Sequence, residues 1–249
     1  FRSDDQLVAR NRVYPVDKLI VADPVAERRD TLRSQFGVAV TDDNRRAVAD
    51  SRRVMLAIKP QNFTDVSGDI AGALTPDHLV ISILAGVSTA RIEAAFPGVH
   101  ARVVRVMPNL PIRVVAGIAG VYAGQFATPG DVADTRKILD AGGSTVLLDD
   151  ESLMDAVTAV SGSGPAYFYA FVEAIVAGGV ACGLKEEDAL KLAEYTCLGA
   201  AKMMLETNEP PAELRRKVTS KGGTTQAALE SMARAGVLEA IRDAVKAAF

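Results

Sequence analysis

Apolar and polar positions follow two different rhythms along this chain. As far as about residue 149, short aliphatic runs recur between helical patterns: residues 18–23, 53–60, 79–86 and 103–108, then 118–123 and 145–149. Runs of this length without polar alternation are read as strands buried on both faces. They predict a mainly parallel sheet with helices on each side. Residues 24–36 read as a helix stopped by Gly37, and Pro60 and Pro108 stop two of the strands. After Asp149-Asp150 the strand pattern ceases. Residues 165–182 give a helix ended by Gly183, and Glu186, Glu187 and Asp188 place acids in the first turn of the next one. Pro210-Pro211 starts a short helix, and residues 225–249 are helical with a break near Gly236. The pattern therefore predicts an α/β chain in two domains, a sheet domain over 1–150 and an all-helical domain over 151–249. The 165–182 helix is apolar on nearly every side, through Ala166, Phe168, Ala170, Phe171, Val172, Ala174, Ile175 and Val176. A helix with so little polar face needs cover all round, and some hundred residues of helix do not supply it. A subunit interface is expected there.

Composition narrows the classes. The chain has 249 residues, 49% of them hydrophobic, a net charge of −3 and a pI near 5.5. No basic excess or Lys/Arg run points to nucleic acid or an anionic membrane. The apolar stretches read as too interrupted for a membrane span. Phe1-Arg2-Ser3-Asp4-Asp5 is polar and has no signal-peptide core. Cys182 and Cys197, the two cysteines, lack CxxC spacing and partner histidines. A disulfide framework and a metal site are not expected, and a cytoplasmic location fits.

Candidate chemistry sits in loops. In parallel sheets ligands bind beyond the carboxyl ends of the strands. Asp23, Lys59-Pro60, Ala85-Gly86 and Pro108-Asn109 stand at such ends. Asp23 is either a ribose ligand or the N-cap of the helix after it. Arg28, Arg29, Arg45 and Arg46 are either partners for a 2′-phosphate or solvated surface. The run Val218-Thr219-Ser220-Lys221-Gly222-Gly223-Thr224-Thr225 leads straight into a helical pattern. Free amides and the positive end of a helix dipole there make a seat for a small anion such as a carboxylate. A second small-residue loop, Ser161-Gly162-Ser163-Gly164-Pro165, precedes the apolar helix, with Pro165 suited to its first turn. His78 and His100 precede strands, at the wrong ends for chemistry, and surface roles are expected for both.

These two loops, together with Met107-Pro108-Asn109-Leu110-Pro111, resemble in order and spacing the pyrroline-5-carboxylate reductase family, from about Val8 to the C-terminus. The resemblance implies a Rossmann-like dinucleotide-binding domain followed by a helical substrate-binding and dimerisation domain. It also implies an intertwined homodimer through the C-terminal helices, built into a larger homo-oligomer. The implied reaction reduces 1-pyrroline-5-carboxylate, a small imino acid, to L-proline with NADPH, NADH being possible, as the last step of proline biosynthesis. Thr225 would hydrogen-bond the ring nitrogen, and Ser220, Gly223 and Thr224 would hold the substrate. Glu151 matches a position near the substrate, an acidic cap of the boundary helix being the simpler account; Thr225 likewise doubles as an N-cap. Asp23, Asn44, Ala57, Ile58, Lys59, Pro60, Ile83, Leu84, Ala85, Pro108 and Asn109 would contact the cofactor, with Ser161, Gly162, Ser163, Gly164 and Pro165 shaping the wall by the nicotinamide. The lack of any His beyond residue 100, and of Lys in the 165–182 helix, suits an imine. A C=N bond can be protonated before hydride arrives, whereas a carbonyl needs an enzymic acid. Leu110 replaces a threonine common in its motif and Lys221 a proline. The family's Gly-rich phosphate loop is absent upstream of residues 7–10, which read as a helix end, so the chain is expected to be a piece without it. Two other readings stay open: a related hydroxy-acid dehydrogenase, and a non-catalytic oligomeric binding protein lacking the phosphate loop.

Overall fold

A computed structural model describes residues 13–249. The helix end read at residues 7–10 lies outside them. The chain divides after Gly162 into two compact units.

The first unit carries the sheet. β1 (Ile20–Ala22) and β2 (Ala39–Thr41) form a parallel pair, in register from Ile20 opposite Ala39. A five-stranded sheet has the order β3 (Arg53–Leu56), β4 (Leu79–Ser82), β5 (Arg102–Pro108), β6 (Gly117–Ala123), β7 (Gly143–Leu147). Its pairs are parallel except β5–β6. The fold is thus the mainly parallel α/β architecture that the aliphatic runs imply. Helices α1 (Ala26–Phe36), α2 (Asn44–Ala49), α3 (Phe63–Ile70), α4 (Thr89–Ala94) and α5 (Pro129–Asp140) connect the strands. Three-residue β2 escapes sequence reading because it is too short to show a period.

All four residues of β4 are buried, as a strand covered on both faces requires. Leu79 and Ile81 pack with Val104, Val106, Val121 and Leu139. Val80 points the other way, into Phe63, Ile70, Ile92, Phe96 and Val103. Each such side chain contributes about 1.5–3 kcal/mol by leaving water, and the alternation locks the register. Pairing stops before the aliphatic runs do. The Ile83 amide makes a bond to the Leu56 carbonyl at 3.3 Å, and the chain then leaves the sheet. Residues 57–60 and 83–86 therefore project beyond it.

Expectations for α1 and His78 fail here. α1 starts at Ala26, with Val25 as N-cap, and not at Pro24. His78 is buried, not superficial. Its Nδ1 accepts the Thr75 amide at 2.9 Å, which leaves Nε2 to donate to the Val48 carbonyl at 3.2 Å. With both nitrogens satisfied the ring is a core element. His100 is exposed, at φ 51°, its ring edge against Phe126.

The segment after β7 turns through α6 (Leu153–Val157) into a π-helical turn, Thr158–Gly162. It packs on the sheet: a Cβ on Gly120 would lie 3.0 Å from Val157, and one on Gly162 3.1 Å from Met107.

The second unit is all helical: α7 (Gly164–Ala181), α8 (Glu186–Thr207), α9 (Pro211–Lys217), α10 (Thr224–Arg234) and α11 (Val237–Ala247). Gly236, at φ 68°, breaks the last two apart. Among the described residues its fully buried hydrophobics are Ala189 and Ala193 alone. Gly179 lets α7 and α8 approach, since a Cβ there would meet Ala189 at 3.2 Å. Large side chains stay outside, Phe168 at 61% exposed and Tyr195 at 68%. Within the 29 residues Leu153–Ala181 an 18-residue stretch has a mean hydropathy of 1.3, long and apolar enough by length and composition to cross a membrane. By that measure this apolar stretch is less interrupted than the sequence reading held.

Candidate active site

Sheet order places β3, β4 and β5 side by side and parallel. Their carboxyl ends bring Ala57–Pro60, Ile83–Ala85 and Pro108-Asn109 to one edge. Lys59, Pro60 and Ala85 are exposed there, whereas Ile83 and Leu84 bury their side chains in the two cores. Ile83 and Leu84 can therefore offer a ligand only backbone. Asn109 closes the β5–β6 connection: its Oδ1 accepts the Ile118 amide at 2.9 Å. Ser161 donates its hydroxyl to the Val157 carbonyl at 3.0 Å, and Gly162 lies against Met107, one residue before Pro108.

Asp23 follows β1 and Asn44 is the first residue of α2, which follows β2. Asp23 is not the N-cap of α1. Its Oδ1 accepts the Val25 amide at 2.8 Å, a turn that ends before the helix begins. Asn44 donates to Asp69 at 3.0 Å, and Arg45 reaches the same carboxylate at 3.1 Å. Arg28 lies 3.6 Å from Asp23, Arg29 3.6 Å from Asp42 and Arg46 3.9 Å from Asp50. Each arginine considered for a 2′-phosphate thus faces an acid at the surface, a contact weak enough for an anion to compete with.

Glu151 does not cap its own helix. Asp150 fills the local role, accepting the Ser152 amide at 2.8 Å. The Glu151 carboxylate instead accepts the Thr89 amide at 2.8 Å, the Thr89 hydroxyl at 2.7 Å and Arg105 Nη1 at 2.8 Å. Burial pushes the Glu151 carboxyl up, but hydrogen bonds from Arg105 and Thr89 and the Arg105 charge outweigh it and hold the group below its ordinary value. Glu93 goes the other way. Burial raises it, against hydrogen bonds from the Gln125 and Phe126 amides. Sequence reading missed Thr89, Glu93 and Arg105. Arg105 had a signal, a charge inside the aliphatic run Val103-Val104-Arg105-Val106, which demands a buried partner.

In the second unit Ser163, Gly164 and Pro165 open α7, with Gly164 buried. The Gly-Gly-Thr-Thr run opens α10. Gly223 is the N-cap, so Thr225 is the second helical residue and not a cap; the helix starts earlier than expected because Gly223 is extended at φ −84°, ψ 171°. The Gly223 amide reaches the Ser220 carbonyl at 3.0 Å and the Gly222 amide reaches Gln226 Oε1 at 2.8 Å. Thr224, Thr225 and Gln226 follow with the amides that a helix leaves unpaired in its first turn. A Cβ on residue 223 would crowd Ser220 Oγ, which would have to turn aside.

Comparison with known proteins fits this arrangement. Residues 151–249 match the model of pyrroline-5-carboxylate reductase dimerisation. Residues 5–86 match that of NADP oxidoreductases, coenzyme F420-dependent. A pyrroline-5-carboxylate reductase of Synechocystis sp. is 44% identical over 96% of this chain and 88% of its own length. The chain belongs to the pyrroline-5-carboxylate reductase family. The Pseudomonas aeruginosa reductase is 42% identical over 96% of this chain and 87% of its own. Among solved structures, the Coxiella burnetii reductase is 33% identical with a TM-score of 0.92, over 98% of this chain and 91% of the other. The Plasmodium falciparum pyrroline carboxylate reductase, solved with NADP bound, is 25% identical with a TM-score of 0.85, over 98% and 89%. The match to a dimerisation model supports assembly of this chain with copies of itself.

Proposed function

We infer that the protein is an oxidoreductase that reduces 1-pyrroline-5-carboxylate to L-proline with NADPH, NADH being the alternative donor. The observation that carries the reading is the α10 N-terminus. It offers free amides and a threonine hydroxyl where an imino acid has a carboxylate and a ring nitrogen. Membership of the family supports it.

The strand-end edge of the first unit fits a dinucleotide. Lys59, Pro60 and Ala85 expose backbone at adjacent parallel ends, and Asp23 and Asn44 stand beside arginines with surface partners. Ala57, Ile58, Ile83, Leu84, Pro108 and Asn109 complete that contact, and Ser161 to Pro165 form the wall by the nicotinamide. Bound NADPH supplies the hydride that goes to C5 of the ring. The amides of Thr224 and Thr225, with Ser220 and Gly223, hold the carboxylate through charge-assisted hydrogen bonds. The Thr225 hydroxyl donates to the ring nitrogen and orients it. No strong enzymic acid is required, because the imine takes its proton from solvent; the rate rests on proximity and orientation. We further propose that the dimer forms through α7 and α8, assembles into a larger homo-oligomer, and works in the cytoplasm, where Cys182 and Cys197 stay free.

Full-length protein, including whatever precedes Phe1, should oxidise NADPH on addition of 1-pyrroline-5-carboxylate and show little turnover of lactate with NADP⁺. Robust hydroxy-acid oxidation without imine reduction would defeat this reading.

A further inference from the structure

Three segments proposed to touch the cofactor each lead to or from one largely buried ionic cluster. Thr89, the first residue of α4, follows the Ile83–Ala85 segment. Arg105 lies on β5, three residues before Pro108. Glu151 opens the segment that leads through α6 to Ser161 and Gly162. The Glu151 carboxylate joins all three. Oε1 accepts both the Thr89 amide and Arg105 Nη1, and Oε2 accepts the Thr89 hydroxyl. The Arg105 side chain is 9% exposed and Glu151 19%. Glu93, one turn along α4, instead accepts the Gln125 amide on its Oε1 at 2.8 Å, so Glu151 is the carboxylate that neutralises Arg105. Without it a guanidinium is left buried and unpaired, a costly state that the surrounding segments would move to relieve.

We propose that Glu151 is a positioning residue of the cofactor site: it fastens the start of α4 and strand β5 to the head of the 151–162 segment, so that Ile83–Ala85, Pro108-Asn109 and Ser161-Gly162 keep one mutual geometry. The proposal rests on the NADPH-dependent reading above. It gives Glu151 no substrate atom, because both carboxylate oxygens are engaged within the first unit. Gln at 151 preserves the geometry: its carbonyl accepts Thr89 N–H and Arg105, and the Thr89 hydroxyl turns to accept from its amide.

The test is NADPH titration by fluorescence on the full-length wild type and on Glu151→Ala, Glu151→Gln, Thr89→Val and Leu139→Ala, each checked for folding by circular dichroism. Glu151→Ala should weaken NADPH binding about tenfold or more, Thr89→Val about threefold, and Glu151→Gln less than about twofold. Leu139→Ala, a core truncation in the first unit outside the cluster, should lose stability but bind NADPH as the wild type does. A folded Glu151→Ala protein with wild-type affinity would overturn the proposal. So would a Leu139→Ala protein that loses affinity as much as Glu151→Ala, since cofactor binding would then follow stability alone. If Glu151→Ala does not fold, Thr89→Val decides, and wild-type affinity in that variant overturns the proposal. A wild type that binds no NADPH overturns the functional reading together with this one.

Discussion

The two units of this chain keep apolar side chains from water in opposite ways. The first covers both faces of its central strands, with Ile81, Ile92, Val80, Val103 and Val104 at or below 1% exposed, while Ile118, Val146 and Leu147 on β6 and β7 stay 37–49% exposed. The second leaves Phe168, Tyr195 and Leu205 between 61% and 78% exposed and fully buries only Ala189 and Ala193 of its described hydrophobics. Both are rich in aliphatic residues, so composition does not separate them. Geometry does. A central strand presents two faces, each met by another layer of the same chain. A helix that is apolar all round exhausts its neighbours in a short helical unit and needs a second copy. The first unit is therefore expected to have a stability of its own, and the second a stability tied to assembly.

The sharpest way to break this contrast is Phe171→Asp on α7, at a side chain 44% exposed in the single chain. A carboxylate buried without a partner in the proposed interface costs several kcal/mol, on the order of total domain stability. The variant should dissociate or unfold, and an unchanged mass in light scattering with an unchanged Tm would contradict the interface. Next in size is Phe96→Ala in the first unit, where the ring is 2% exposed. It should cost about 3–5 kcal/mol. Denaturant titrations should show that loss to be independent of protein concentration, whereas unfolding of the second unit should shift to higher denaturant as concentration rises. If both transitions moved with concentration, the contrast would be wrong.

A smaller effect separates chemistry from structure at α10. Thr225→Ala should lower kcat about tenfold if the hydroxyl bond to the ring nitrogen strengthens by about 1.4 kcal/mol in the transition state. Thr225→Ser should retain most of the activity. Because Gly223 is the N-cap, neither change removes a cap, and melting temperatures should stay close to wild type. A normal kcat in Thr225→Ala would leave the helix amides as the whole of the substrate contact.

The smallest expected effect is electrostatic. Glu151 is held below its ordinary value in the folded protein, so its contribution is fully present above the ordinary range and fades as pH falls through the folded value. Glu93 has the opposite sign: burial raises it, so its penalty is present at neutral pH and relieved on acidification. Urea midpoints of wild type and Glu151→Gln should accordingly converge between about pH 7 and about pH 3. A constant gap across that range would mean that the Arg105–Glu151 pair adds nothing through its charge.

Much of this was legible in one dimension. The mainly aliphatic runs at residues 79–84 and 103–107, interrupted by Ser82 and Arg105, read as strands covered on both faces because they are short and bounded by Gly or Pro. Pro60, Pro108, Gly37 and Gly236 mark ends that backbone sterics enforce wherever they fall. The motif loops and the all-round apolar helix α7 pointed to the family and to assembly before any packing was known. Tertiary structure decided what depends on partners distant in sequence. It buried His78 because Val48, thirty residues away, accepts its Nε2 proton. It moved the helix start to Thr224 with Gly223 as N-cap, and it turned Glu151 from a neighbour of its own helix into the counter-ion of Arg105, 46 residues earlier. Local sequence sets backbone preference and periodicity within a few residues; which buried charge meets which is settled only when the strands that carry them are side by side.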